Sequence, residues 1–309
     1  MLRDIHNLLV FLLFLTLGPR HVHSVKESNE MCGMSIHAAD MDGVDSFSAV
    51  EGTWAVPTFF DSSEANFFRT GVALCCGDDC LMRLTAIMWV WGGQRRKTAS
   101  LEIEVTPNFL TVMVPEEHAI DLNPGDIIKF RVAVHSEDTA ELQFTKFYDY
   151  INPHTLTVRL TLERRLDHNA ILHLSFHTDY VQDEHITSEG WGYKGVDKPK
   201  FCGDSAWWYL SDKFVRLLDD GPKLTSPFSP VLVADHRLET AGNKTLPGDL
   251  MLSPFARYWS LVRRNALGDD KAVCSTSGFV DSGMMIMHTS NNWMVYGAGL
   301  GNSSEVEEA

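Results

Sequence analysis

Residues 123–144 read NPGDIIKFRVAVHSEDTAELQF. Apolar and polar side chains alternate through IIKFRVAV, a short polar break follows, and a second alternation begins. A period of two belongs to strands, whose successive side chains face opposite sides of a sheet. The polar break has hairpin length, so the stretch predicts two antiparallel strands. TVRLTLER at 157–164 repeats the pattern. A slip of one residue would send every apolar group to the wet side, so such stretches fix both register and sheet.

The rest of the chain is consistent with that start. Strand candidates are 47–58, 69–76, 81–91, 99–105, 109–114, 127–135, 140–148, 155–166 and 170–177, followed by 206–211, 231–238 and 279–288. Turn formers such as Gly77-Asp78-Asp79, Gly92-Gly93 and Asn123-Pro124-Gly125-Asp126 separate them. Only 254–266 (PFARYWSLVRRNA) has helical spacing, and 178–204, rich in Gly, Asp and aromatics, reads as a long inserted loop. Many short strands at close spacing predict an all-β, antiparallel two-sheet sandwich. Met284, Met285 and Met287 suit the core of its last strand.

The first 24 residues carry Arg3, a ten-residue apolar run from Leu8 to Leu17 and small side chains at Val22 and Ser24. Ten apolar residues fall short of the ~20 that span a bilayer. The pattern predicts a secretory signal cleaved after Ser24, leaving a secreted, extracellular protein with no membrane attachment. Residues 25–46 form an N-terminal segment, 47–290 the sandwich with an insertion at 150–204, and 291–309 an acidic tail. Beyond residue 24 the chain holds 24 basic and 40 acidic side chains, a formal charge of −16. Such a chain repels phosphate backbones, so nucleic acid is not an expected partner.

Six cysteines behind a signal predict disulfides, with 15 pairings open. CCGDDC at 75–80 has no second ligand pair at zinc-finger spacing, so no metal and no other cofactor is expected. Asn243-Lys244-Thr245 and Asn302-Ser303-Ser304 are glycosylation acceptors.

SLEIEVTP at 100–107 places Glu102 and Glu104 on one strand face, opposite Leu101, Ile103 and Val105. Most such glutamates are simply solvated. Several blocks argue otherwise for Glu104. VEGTWAVPT (50–58), CCGDDCLMRLTAIMW (75–89), EVTP (104–107), NPGDIIKFRVAVHSEDTAELQF (123–144), AWWYLSD (206–212) and SPFSPVLV (226–233) occur in an order that resembles the fungal glutamic peptidases, the eqolisins. The resemblance implies a concanavalin A-like jelly roll with its site on a concave face. It also implies acid endopeptidase chemistry on a peptide or protein substrate. There a Glu takes a proton from water and a Gln amide donates to the oxyanion. By this resemblance the carboxylate falls on Glu104, while Glu102 keeps the solvated reading.

The family Gln has no counterpart. Aligning LTAIMW with the family strand puts Trp89 at its position, or Ala86, Ile87 or Met88 if the alignment slides by up to three residues, and Gln94 lies in the following turn, roughly 15 Å along at ~3.3 Å per residue. The resemblance therefore implies either a divergent peptidase acting through Glu104 or a catalytically impaired relative. The alternative is a non-catalytic sandwich that binds peptide or carbohydrate. Trp89 and Trp91, on one strand face, are its candidate binding residues, the competing reading being core packing. His173, Ser175, His177 and Asp179 share another face, but His173 and His177 stand ~13 Å apart along the strand. That is too far for one metal or a triad.

Overall fold

The structure is a computed structural model and describes residues 25–28, 31–58, 67–77, 82–91, 99–105, 110–147, 153–164, 169–178, 184–192, 200–211, 228–242, 244–246, 254–264, 270–279 and 284–289. Eighteen strands run through them. In chain order they are β1 (Val25–Ser28), β2 (Cys32–His37), β3 (Phe47–Ala55), β4 (Phe67–Cys76), β5 (Met82–Trp91) and β6 (Ala99–Val105). Next come β7 (Leu110–Met113), β8 (Ile127–Ser136), β9 (Thr139–Phe147), β10 (Pro153–Arg164), β11 (Asn169–Thr178) and β12 (Glu184–Gly192). The last are β13 (Ser205–Ser211), β14 (Val231–Thr240), β15 (Thr245–Leu246), β16 (Arg257–Arg264), β17 (Asp270–Phe279) and β18 (Met284–Thr289). Among the described residues the only helical turns are two three-residue 3₁₀ turns, at Ala38–Asp40 and Glu116–His118.

Two antiparallel layers result. The first runs β7–β6–β5–β4–β13–β2–β16. The second runs β18–β14–β3–β8–β9–β10–β11–β12, with β15 on the end of β14. Strand β17 pairs with β16 of one layer and β18 of the other, closing one side of the sandwich. The alternating stretches of 123–144 and 157–164 become β8, β9 and β10, with the hairpin at 136–139 as their spacing requires.

The apolar faces meet in one core that includes Met34, Val72, Leu84, Met88 and Ile103 from the first layer and Phe130, Leu142, Val158 and Leu174 from the second. Met285 and Met287 are fully buried in it, whereas Met284, expected there too, points to the other face and is half-buried. Two indoles bridge the layers through polar bonds. Trp54 Nε1 donates to Thr70 Oγ1 at 3.0 Å, and Trp208 Nε1 donates to the Glu51 carbonyl at 2.8 Å. A buried indole N–H without an acceptor would cost free energy, so each bond fixes one layer against the other.

Two expectations are corrected. The helical spacing of 254–266 folds as strand β16, paired on both edges by β1, β2 and β17, because ladder bonds and burial override local periodicity. The loop expected over 178–204 contains β12, which extends the second layer. The strand set also reaches ahead of residue 47, since β2 lies between β13 and β16. Gly33 on β2 sits at φ +145, where a Cβ would lie 2.1 Å from the Trp208 carbonyl oxygen, so only glycine permits this close pairing.

Disulfides join Cys32 to Cys274 and Cys76 to Cys202, and Cys75 is also disulfide-bonded. The first ties β2 to β17; the second ties the end of β4 to the segment that enters β13. No helix among the described residues is long and apolar enough to cross a membrane.

Candidate functional site

The first layer has a second face, turned away from the core. Its register sets Arg69 on β4 opposite Trp89 on β5, Thr85 on β5 opposite Glu104 on β6, and Tyr209 on β13 opposite Gly71 on β4. Glu102 follows two residues before Glu104, opposite Ile87. This is the face on which the alternation of SLEIEVTP places its glutamates. It carries Glu102, Glu104, Arg69 and Arg83, of which only Arg83 reaches the solvent in part.

Glu102 and Glu104 are both fully buried, and Arg69 is 2% exposed. Arg69 Nη1 donates to Glu104 Oε2 at 2.6 Å and lies 3.7 Å from Glu102 Oε1. Arg83 Nη2 donates to Glu104 Oε1 at 2.5 Å. The carboxylate of Glu104 is thus gripped on both oxygens by guanidinium groups from two neighbouring strands. Burial alone would raise its pKa, but the charges and hydrogen bonds of Arg83 and Arg69 outweigh that and hold it below the usual carboxylate range. The two arginines and two glutamates sum to zero charge, which is how a buried ionic group is tolerated.

Aromatic rings surround this cluster. Arg83 lies 5.9 Å from the ring of Tyr209, whose hydroxyl burial pushes up to about 12. Arg69 sits 5.6 Å over the indole of Trp89, and Phe67 packs on that indole at 5.1 Å. Farther along the same face, Trp207 stacks on Trp259 at 5.6 Å. Trp259 Nε1 donates to Ser35 Oγ at 2.9 Å, and Trp207 Nε1 donates to Ser205 Oγ at 2.9 Å. Three buried polar atoms here, Arg69 Nε, Thr85 Oγ1 and the Tyr209 hydroxyl oxygen, make no hydrogen bond.

Each residue singled out in the sequence can now be placed. Glu104 lies in the cluster. Glu102, expected to be solvated, is buried beside it, because Arg69 neutralises the face on which both stand. Trp89 is on the same face, 1% exposed, between Phe67 and Arg69. The side chain of Trp91 and residues Gln94, Asp179, Asn243 and Asn302 lie outside the described residues. On β11, His173 Nε2 is 3.0 Å from Glu163, and Ser175 Oγ is 3.3 Å from His177 Nε2. Among the described residues no group of three His, Cys, Asp or Glu side chains is arranged to hold a metal ion.

Sequence reasoning missed Arg69, Arg83, Tyr209 and Trp259. The signal was available in part: FFRTGVALCC puts a lone Arg inside an apolar run, and a buried arginine needs a carboxylate. Nothing in one sequence says that its partner stands two strands away.

No protein-family model matches this chain, and no curated protein matches it. Solved structures do. Scytalido-glutamic peptidase with a transition state analog inhibitor shares 13% identity over 85% of this chain and 99% of its own, at a TM-score of 0.54. The same peptidase with a peptide-based transition state analog gives the same values. SCP-B, a member of the eqolisin family in complex with the tripeptide Ala-Ile-His, shares 12% identity over the same fractions at 0.50. The fold is that of the eqolisin peptidases. The block order seen in the sequence thus identified the layered architecture correctly, while identities this low leave the chemistry to the residues themselves.

Proposed function

We propose that this chain is a secreted, eqolisin-fold protein that binds extended peptide along the outer face of its first layer and does not hydrolyse it. The observation that carries this reading is the grip on Glu104. A general base must offer a lone pair to water and needs a pKa near its working pH. A carboxylate holding one guanidinium bond on each oxygen, with its pKa drawn down, is a weak base. Directly opposite Glu104 stands Thr85, a hydroxyl and not the amide that the resemblance calls for, and by that resemblance Trp89 takes the Gln position. What remains is a balanced ionic cluster that is itself buried with Trp89 and Tyr209, and, farther along the face, the half-buried Trp259 stacked on Trp207 as the aromatic surface a peptide can reach. The signal at 1–24 and the acceptors Asn243 and Asn302 belong to the same reading, as marks of an exported glycoprotein.

The test uses the mature chain incubated with a denatured protein substrate between pH 2 and 5, alongside Glu104→Gln. The expected result is no fragments from either. Cleavage by the parent that vanishes in the variant would overturn the reading in favour of an acid endopeptidase acting through Glu104. Binding is read separately, from the tryptophan fluorescence of the parent titrated with extended peptides.

A further inference from the structure

Strand β1 is unlike the others. It is the one parallel partner among the described pairings, running Val25↔Tyr258, Lys26↔Trp259, Glu27↔Ser260 and Ser28↔Leu261 along β16. The opposite edge of β16 is taken by β2 at Arg257–Trp259 and by β17 from Leu261 onward, so among the described residues β1 alone lines the outer edge. It buries little in doing so. Val25 is 50% exposed, and Lys26 and Glu27 are exposed too. A parallel pairing is also slightly weaker per residue than an antiparallel one.

One of its side-chain contacts points at the aromatic platform. The Lys26 ammonium lies 5.5 Å from the ring of Trp259, the indole that stacks on Trp207. Val25–Ser28 therefore combines main-chain pairing, which any extended peptide can supply, with one cation over an aromatic face.

We propose that the outer edge of β16 is a peptide-docking edge, filled in cis by β1. An extended peptide with a Lys or Arg over Trp259 replaces it as a parallel strand. The proposal deepens the peptide-binding reading by naming the edge and the ligand class. The formal charge of −15 favours the same class, since an acidic protein draws basic peptides. While β1 is seated, the edge is closed, and the apparent affinity for a peptide in trans falls by the fraction of time it is open.

The experiment compares a chain starting at Val25 with one starting at Met31. The probe is a labelled peptide of residues 25–30, Val-Lys-Glu-Ser-Asn-Glu, together with its Lys26→Ala version, and binding is read by fluorescence anisotropy. If β1 is seated nine-tenths of the time, the shorter chain binds the probe about tenfold more tightly. The Lys26→Ala peptide loses roughly two- to fivefold, and Trp259→Ala in the protein erases that difference. Should the shorter chain not fold, Lys26→Glu in the longer chain loosens the strap without truncation and is expected to raise probe affinity. Equal affinity for strapped and unstrapped chains overturns the proposal, as does no binding to a folded unstrapped chain or indifference to the lysine. Failure here with no proteolysis above would remove the edge but leave the cluster reading intact; proteolysis lost in Glu104→Gln would do the reverse.

Discussion

Glu104→Gln separates a structural carboxylate from a catalytic one. The substitution keeps the shape and removes the charge that Arg69 and Arg83 share. Arg69, 2% exposed, would then keep, among the described residues, Glu102 at 3.7 Å as its anionic partner. Removing one member of a buried ion pair costs about 3–5 kcal/mol, most of it the penalty of the charge left behind. At ~2–4 °C per kcal/mol for a chain of this general size, the thermal midpoint at pH 7 should fall by roughly 6–20 °C. The pH dependence sharpens the test. The pKa of Glu104 is depressed by folding, so its contribution is present above the ordinary carboxylate value and is lost as pH falls through the lower folded value. The gap between parent and variant should accordingly close only in strongly acid solution. Circular dichroism melts at pH 7 and at several values below 4 measure it. A variant as stable as the parent at pH 7 would refute the ionic grip and return Glu104 to the status of an available base.

Three further outcomes follow from the same coordinates. Trp89→Gln, which supplies the amide that the sequence resemblance would put there, is expected to give no proteolysis in a casein-type fragment assay and to destabilise by about 3–5 kcal/mol, because it empties the slot between Phe67 and Arg69. Replacing Cys76 and Cys202 together by Ser opens a link spanning 126 residues and should lower stability by about 2–5 kcal/mol in urea titrations. Lys146→Met removes an ammonium that holds the Asp121 carbonyl at 2.6 Å and Asp126 at 2.7 Å, leaving the 123–126 turn held by its backbone bonds to Val56 and within the turn. Hydrogen exchange of the turn amides, among them Asn123 N–H bonded to Asp126, should quicken well before that of β8.

The sandwich was legible because its strands state their faces. In β8–β10, alternate residues are apolar, and burial reproduces the alternation almost residue by residue. Where the face away from the core is also covered, alternation disappears. β13 (SAWWYLS) is buried at every position, so its composition could not say which Trp meets the core and which the polar face. Trp208 does the first and Trp207 the second. β16 misled for a related reason: its apolar and basic residues fit a helix face as well as a strand, and only pairing with β1, β2 and β17 decides. The candidate site was half legible. SLEIEVTP placed both glutamates on one face, but whether that face is wet depends on Arg69 and Arg83, whose proximity is a property of register.

That dependence also explains how such a fold can keep its shape while changing its chemistry. The core side of β4, β5, β6 and β13 is set by apolar residues such as Val72, Ala86, Ile103 and Trp208, which pack against the other layer and never touch the outer face. Substitutions on the outer side are therefore free of the core, provided that buried charge stays balanced. A glutamate there is an available base only while no cation sits within bonding distance. Once Arg69 and Arg83 occupy both its oxygens, the same carboxylate stabilises the sheet through its ionised form and resists protonation. The two roles compete for one group, because each interaction that stabilises the anion lowers its strength as a base. An active acid peptidase on this face would need one arginine elsewhere, and Arg83, a quarter exposed at the rim of the cluster, is the one whose removal costs the fold less. Arg83→Met should thus raise the pKa of Glu104 and leave a folded protein, whereas Arg69→Met takes from two buried carboxylates the arginine they share, leaves Glu104 with Arg83, and should not fold at neutral pH. Carboxyl titration by NMR for the first variant and soluble yield for the second decide it; equal tolerance of both would show that the cluster is held by something other than its own charges.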